Sequence, residues 1–534
     1  MMLNSQSPFI YQTRFWKAEY HDPPLLTYRG NPLIEALPSI YEPEQVYKLL
    51  QHDPRYDESY RQWPTHLRLH LFLEAARFFQ PLNIHIELEQ RLSRMIRAGY
   101  VGRNPLDLGF WAETERRLHL IEENMVFRST PRVPTQGFTL MGISGTGKSR
   151  TIESILPLYP QVIQHTEYCG RRFTWTQVVY LKLDCPHDGS ISGLCHDYFH
   201  QMDLLLGTNY YENHGLRGKP SIEKMRVAMA RVAADHSLGV LIIDEIQDLR
   251  LARADGAHKM LSFLVKLDNT IGVPIVFVGT PNARSVLAGE FRRARRAAGQ
   301  GDLPWERMQI EKDKEKEKDS EWRVFLETLW KYQYVSEKSD LTDELSEVMY
   351  DESQGIADIA IKLYFLAQIR AIDRKKEFVT VDMIRKAARE RLQSVQEPLH
   401  ALRTGKKTLL RKYEDLQPID LEGAVWEALR NVGASPSPGG AQGSSPGPKP
   451  ATNDGKRADK EQDATASEEG SQSAQQPSEG GEEQKSKGRI VKVEGGLLEL
   501  AAKGRERGVT TYEALKKGGF IRDASEYLVE AAQA

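Results

Sequence analysis

The sequence predicts an α/β protein: a parallel, doubly wound sheet around a phosphate-binding loop, a helical lid after it, a helical arm before it and a disordered C-terminal tether. Three observations predict it. Gly142-Ile-Ser144-Gly145-Thr146-Gly147-Lys148-Ser149 matches the pattern G-x-x-x-x-G-K-[ST] in full. Val240-Leu-Ile-Ile243-Asp244-Glu245 is an apolar run closed by two acids. Strand-like and helix-like segments alternate from about 134 to 310.

The loop comes first. Phe138 to Met141 reads as a short buried strand leading into it. Its glycines let backbone N–H groups curl around phosphates, where side chains would collide. Lys148 supplies a compact charge for the β- and γ-phosphates, and the Ser149 hydroxyl is placed to ligate Mg²⁺. From Arg150 a helix follows, its N-terminus toward the same phosphates. The expected cofactors are therefore ATP and Mg²⁺, held by Gly142, Ser144, Gly145, Thr146, Gly147, Lys148, Ser149 and Arg150.

The acidic strand is next. A run such as Val240–Ile243 is buried on both faces of a parallel sheet. Carboxylates at its C-terminal end emerge where ligands bind. Asp244 is expected to hold Mg²⁺ through water, and Glu245 to polarise the attacking water. Further strands are expected at Val178–Leu183 and Val273–Val278. Val278-Gly-Thr280-Pro-Asn282 ends the strand placed beside the acidic one. Resemblance to AAA+ sheets, which carry a polar γ-phosphate sensor at this place, implies that role for Thr280 first and Asn282 second; a plain Thr-Pro turn is the bland alternative.

Helical patterns flank this core. Residues 1 to about 60 are rich in Pro, Tyr and charge and read as an arm with short helices. Helices are expected over Thr65–Phe79 and Ile84–Ala98, with Gly99 as the C-cap of the second and Arg91, Arg94 and Arg97 on its solvated face. After the charged run Glu311–Asp319, helices are expected at Glu321–Trp330, Thr342–Tyr350, Ile356–Arg370 and Val381–Leu392. A helical bundle following a nucleotide-binding α/β domain is the AAA+ layout. The expected divisions are 1–133 arm and helical region, 134–310 ATPase domain, 311–415 lid, 416–487 linker and 488–534 partner-docking segment.

The linker, above all from about 433, is built of Ser-Pro-Gly and Glu/Gln/Ser/Lys runs that cannot bury a core. As a flexible coil of about 55 residues it reaches roughly 40 Å. Apolar residues return after it, from Ile490 to Leu528, too few for a robust fold. Such a segment suits gripping a partner, with a small terminal cap as the alternative.

Composition sets limits. With 534 residues, two or three domains are expected. A net charge of −2, from 72 basic and 74 acidic residues, confines nucleic-acid contact to local patches. Arg217, Lys219, Lys224 and Arg226 are candidates for non-sequence-specific phosphate contacts. Cys169, Cys185 and Cys195 are too few for a disulfide framework. No signal peptide or membrane span is evident, and with so few cysteines a cytoplasmic protein is expected. Cys185, His187, Cys195, His196 and His200 fit no common closed zinc spacing. The cluster Arg292–Arg296 is either a solvated run or the source of an arginine finger, led by Arg295 and Arg296; a finger requires a homo-oligomer.

The flanking sequence resembles the TnsC family, AAA+ regulators of Tn-seven-like transposons. The resemblance runs through Asn31–Pro38, Ile96–Pro105, the phosphate loop, Gly239–Leu249, Gly279–Ala283, the arginine cluster, Ser353–Leu363 and Pro398–Gly405. It implies an ATPase that oligomerises on duplex DNA as a ring or filament and bridges a target-selector protein to transposase subunits in a bacterial cell. Hydrolysis would then dismantle the assembly. It also implies that Tyr100 and Val101 touch the nucleotide. One departure stands out: Asp358 occupies the place of the lid arginine common in AAA+ proteins, so that either Lys362, one turn on, substitutes or lid sensing is weak. Two other classes fit the residues: a helicase- or clamp-loader-type ATPase, and a scaffold that binds ATP without turnover.

Overall fold

The computed structural model describes residues 15–123, 137–251, 256–283, 301–310, 320–374, 377–405 and 419–433. Among these the strands are, in chain order, β1 (Phe15–Lys17), β2 (Phe138–Gly142), β3 (Val162–Tyr168), β4 (Arg171–Val178), β5 (Tyr180–Asp184), β6 (Val240–Asp244), β7 (Ile275–Gly279) and β8 (Asp302–Trp305). Five of them form a parallel sheet in the order β5-β6-β7-β2-β8. The acid-bearing strand thus neighbours the sensor strand, as expected, and the loop-bearing strand lies beside that.

Period-two alternation explains why these strands are almost wholly apolar. Val240 and Ile242 point with Leu140 and Val276 to one face, against Leu92, Met95 and Ile96 of the Asn83–Val101 helix. Leu241 and Ile243 point with Ile275 and Phe277 to the other. There they meet the helices Ile191–Leu206, Ile222–Asp235 and Gly256–Ile271. A small second sheet, ordered β1-β3-β4, packs beside the first face through Ile163.

The lid helices form where periodicity places them: Glu321–Trp330, Asp343–Ser353, Ala357–Asp373 and Val381–Arg391, with Gln396–Thr404 after them. Ser320, Thr342 and Thr380 cap three of them, each side chain accepting a backbone N–H of the first turn. Their core includes Leu69, Phe72 and Ala75, which come from the Thr65–Ala75 helix of the N-terminal region. That region therefore divides between two cores: one helix joins the lid, the next covers the sheet.

An ion pair fastens the first of these helices to the lid. Arg68 Nη1 lies 2.7 Å from Glu377 Oε2 and donates to the Tyr334 carbonyl at 2.8 Å. The paired guanidinium holds the Glu377 carboxyl below the usual range. Arg68→Met is expected to destabilise the protein by roughly 1 kcal/mol, because it takes the guanidinium from a partly buried carboxylate and leaves it the Ser336 N–H. A pKa held low contributes stability above the unfolded value that fades as pH falls through the folded one. Thermal unfolding should therefore show the gap between wild type and Arg68→Met narrowing on acidification.

Several expectations need correction. The proposed strand Val178–Leu183 is two elements: Val178 ends β4, an antiparallel partner of β3, and β5 begins at Tyr180. Gly99 does not end its helix, which runs on to Val101. Its lack of a side chain serves packing, since a Cβ there would meet Pro274 Cγ at 2.8 Å. Arg97 is buried, not solvated; it donates to Ser93 Oγ at 2.7 Å and to the Pro38 carbonyl at 2.5 Å. The linker does not begin at 416: Leu421–Gly433 is a helix whose Ala424 and Val425 join the lid core. Arg292–Arg296, the charged run 311–319 and everything from 434 onward lie outside the described residues. No helix among the described residues is long and apolar enough to cross a membrane.

Candidate functional site

A cavity of about 270 Å³ opens where the phosphate loop, the lid and the N-terminal region meet. Ser144 through Thr151 form one wall, so the loop residues proposed from the sequence converge there, Arg150 included. Gly142 sits just outside it. Its position cannot carry a side chain, because a Cβ would lie 2.2 Å from the Trp305 carbonyl oxygen on neighbouring β8. Trp305 in turn donates its indole N–H to the Thr146 carbonyl at 2.9 Å and fixes the loop's curvature.

Lys148 is buried and folds back on its own loop, donating to the carbonyls of Gly142 at 2.8 Å and Ile143 at 3.0 Å. Ser149 and Glu245 line the same cavity. Arg150 donates to the Ala76 and Phe78 carbonyls at 3.3 and 3.1 Å. It therefore ties the loop helix to the end of the Thr65–Ala75 helix while lining the cavity.

The two acids differ. Asp244 is 2 % exposed and does not line the cavity. One of its oxygens accepts the Glu245 N–H at 2.9 Å, and the other lies 3.1 Å from Lys182 Nζ. Burial alone would lower the Lys182 pKa, but the Asp244 carboxylate beside it raises it well above the lysine range. Nothing in the sequence pattern marked this pair; register does, since β5 and β6 run side by side in parallel. Glu245 lines the cavity from a left-handed backbone, φ 53°. Burial, aided by the Asp244 charge, raises its carboxyl above the usual range, while a hydrogen bond from Gln247 Nε2 works against the rise.

Gln247 was not singled out by sequence. Its other end accepts the Thr280 backbone N–H at 3.0 Å. Thr280 is 3 % exposed, and its hydroxyl has no hydrogen-bond partner among the described residues. Thr280 does not itself line the cavity.

The lid closes the chamber through Gly355, Ala357, Asp358 and Ile361. The Asp358 N–H donates to the Gly145 carbonyl at 3.2 Å, a direct link from lid helix to phosphate loop. Lys362 pairs with Asp358 at 2.8 Å and lies outside the cavity wall. Arg307 does line the cavity, held by the Gln354 carbonyl at 2.7 Å and Tyr350 Oη at 3.1 Å. It follows β8, a strand too short for periodicity to reveal.

Tyr100 and Val101 are corrected outright, for neither lines the cavity. Tyr100 is fully buried against the sheet, and its carbonyl accepts from Asn31 Nδ2 at 2.8 Å. The stretches around Asn31 and Tyr100 serve each other's packing. The wall instead contains Phe78, Phe79, Gln80 and Leu82, from the turn before the Asn83–Val101 helix, and His85 from that helix's first turn.

The candidate DNA residues are uneven. Arg217, Lys219 and Lys224 are exposed. Arg226 is turned inward, its guanidinium 4.8 Å from the Phe263 ring centre. The cysteines and histidines weighed for zinc do not converge. Cys195 is buried among Tyr198 and Phe199, and His187 bonds Asp248 at 2.7 Å.

Residues 134–287 match the AAA domain. The matched span holds the phosphate loop, Asp244–Glu245 and Thr280 on the parallel sheet that carries them. No curated protein matches the chain. Among solved structures it is similar to Cdc6p from Pyrobaculum aerophilum, at 13 % identity and TM-score 0.32, covering 61 % of this chain and 86 % of that one. It is similar to the Aeropyrum pernix ORC2 protein at 13 % identity and TM-score 0.32, covering 60 % and 85 %. The Thermotoga maritima RuvB branch-migration motor gives 14 % identity and TM-score 0.27, covering 55 % and 73 %. At these scores the likenesses carry no functional argument.

Proposed function

We propose that this protein is an ATP-dependent, DNA-binding AAA+ regulator of transposition. The observation that carries the ATPase reading is the convergence of Ser144–Thr151 and Glu245 on one cavity, with Thr280 tied to Glu245 through Gln247. The loop's backbone and Lys148 would bind the phosphates. Lys148 would leave the Gly142 and Ile143 carbonyls to do so. Ser149 and Asp244 would hold Mg²⁺, which neutralises phosphate charge when bound. Glu245, its carboxyl raised by burial, would take the proton of the attacking water.

The transposition role rests on the sequence resemblance to the TnsC family. In this reading subunits assemble on duplex DNA in the ATP state, join a target selector to transposase subunits, and release on hydrolysis. Arg295 or Arg296 would reach the neighbouring subunit's nucleotide, Arg217, Lys219 and Lys224 would meet phosphates, and residues 488–534 would hold the transposase.

The test is assembly on DNA. With ATP, the protein is expected to bind duplex DNA of any sequence, more weakly as salt rises, and to form rings or filaments visible by electron microscopy. Lys148→Ala should abolish both nucleotide and DNA binding. Tight sequence-specific binding without ATP would sink the reading. ATP-driven unwinding of a duplex would favour a helicase instead.

A further inference from the structure

The ends of β5 and β6 gather three carboxylates around one lysine, and the chemistry proposed above uses only Asp244 among them. Asp184 and Asp244 are register partners on the two strands, so two like charges stand side by side. Lys182, two residues before Asp184, lies on the same face of β5. Its Nζ is 3.1 Å from Asp244 Oδ2 and 3.5 Å from Asp184 Oδ1. It also donates to Glu153 Oε1 at 3.2 Å, on the Lys148–Ile155 helix that continues from the phosphate loop. One ammonium thus joins the acidic strand to the phosphate-loop helix.

The three partners are unequal. The Glu153 and Asp184 side chains are 60 % and 75 % exposed, where water screens an ion pair. The Asp244 side chain is only 3 % exposed, so its charge has to be met by the protein. Lys182 meets it at one oxygen, and the Glu245 N–H at 2.9 Å meets the other. Both oxygens are therefore engaged in the metal-free protein. A carboxylate that already holds an ammonium suits a cation, so Asp244 fits the Mg²⁺ proposed for it.

We propose that Lys182 is a built-in competitor of Mg²⁺ for the Asp244 carboxylate. It neutralises Asp244 in the metal-free protein and gives it up when the ion binds, keeping Glu153 and Asp184 as partners. This rests on the metal-binding role proposed above for Asp244. A divalent ion drawn to that carboxylate meets a positive charge beside it, and the repulsion weakens its hold. The phosphates of a bound nucleotide add the negative charge that tips the balance. Lys182 thereby makes metal binding depend on nucleotide, and it acts as a positioning residue, through Asp244.

The experiment is a Mn²⁺ titration of the full-length protein saturated with ADP, the free ion being read by electron paramagnetic resonance. Lys182→Gln keeps a hydrogen-bond donor for Asp244 and removes the charge. It should bind Mn²⁺ about 10-fold more tightly than wild type. Lys182→Arg keeps the charge and should bind Mn²⁺ as the wild type does. A merely structural lysine predicts the opposite sign, because loosened strand ends hold a metal less well. Weaker or unchanged Mn²⁺ binding in Lys182→Gln overturns the inference. The wild type gives a second reading that needs no variant to fold. Trace acetylation read by mass spectrometry should modify Lys182 about 3-fold faster with Mg²⁺ and ADP than with ADP alone, since a released amine is more accessible. An unchanged or slower rate overturns the release of Asp244. Failure of ADP to support Mn²⁺ binding in any of the proteins overturns the metal site proposed above together with this inference.

Discussion

Glu245→Gln is expected to slow ATP hydrolysis by about 100-fold or more while leaving ATP affinity within a few-fold of wild type. The amide keeps the size and the cavity-facing position of the carboxylate but cannot take a proton from water. Removing a proton acceptor from the reacting water therefore strikes the chemical step, whereas the phosphate loop, which binds the ground state, is untouched. In the proposed cycle the variant should stay assembled on DNA, since hydrolysis is what releases the subunits. A single-turnover measurement with pre-bound ATP separates chemistry from product release, and light scattering on DNA follows disassembly. Wild-type turnover in Glu245→Gln would remove this residue from the reaction and leave the acidic strand end with a structural role alone.

The nucleotide core was legible because its chemistry and its burial coincide in sequence. Strands buried on both faces must be apolar throughout, so Val240–Ile243 declares itself, and the loop's glycines and Lys148 follow from phosphate geometry. The lid helices were legible for a related reason: each carries an apolar stripe, and three are capped by Ser or Thr. What failed depended on tertiary contact. Gly99 reads as a helix end, and only the approach of Pro274 explains it. Arg97 reads as solvated, and only the Pro38 carbonyl takes it inside. β8 has four residues at a sheet edge, with alternating exposure that matches many turns. The wall from the N-terminal region was invisible because Phe78, Phe79, Gln80 and His85 lie far along the chain from the phosphate loop. No local pattern says that a turn before the sheet-covering helix will line the same cavity as a loop some sixty residues on.

Gln247→Leu is expected to lower the maximal hydrolysis rate by about 10-fold or more, with little change in ATP affinity. Gln247 bridges two groups of the proposed site, donating from Nε2 to the Glu245 carboxylate and accepting the Thr280 N–H at 3.0 Å. It is 8 % exposed, so neither bond competes freely with water. Glu245 sits in a left-handed conformation that costs a non-glycine residue energy, and the Gln247 amide helps hold it there. Leucine preserves most of the bulk against Gly279, whose missing side chain makes room for this amide. Rate loss alone would not separate positioning of the base from loosened packing, but the pH profile does. A hydrogen bond donated to a carboxylate favours its charged form and lowers its pKa, opposing the rise that burial imposes on Glu245. Without the amide, that pKa rises further. The base works only when deprotonated, so the acidic limb of the rate profile should move to higher pH in Gln247→Leu. A variant whose rate falls equally at every pH would mean that Gln247 only packs the strand ends. A variant with an unmoved limb and full activity would mean that Glu245 is held by its backbone alone.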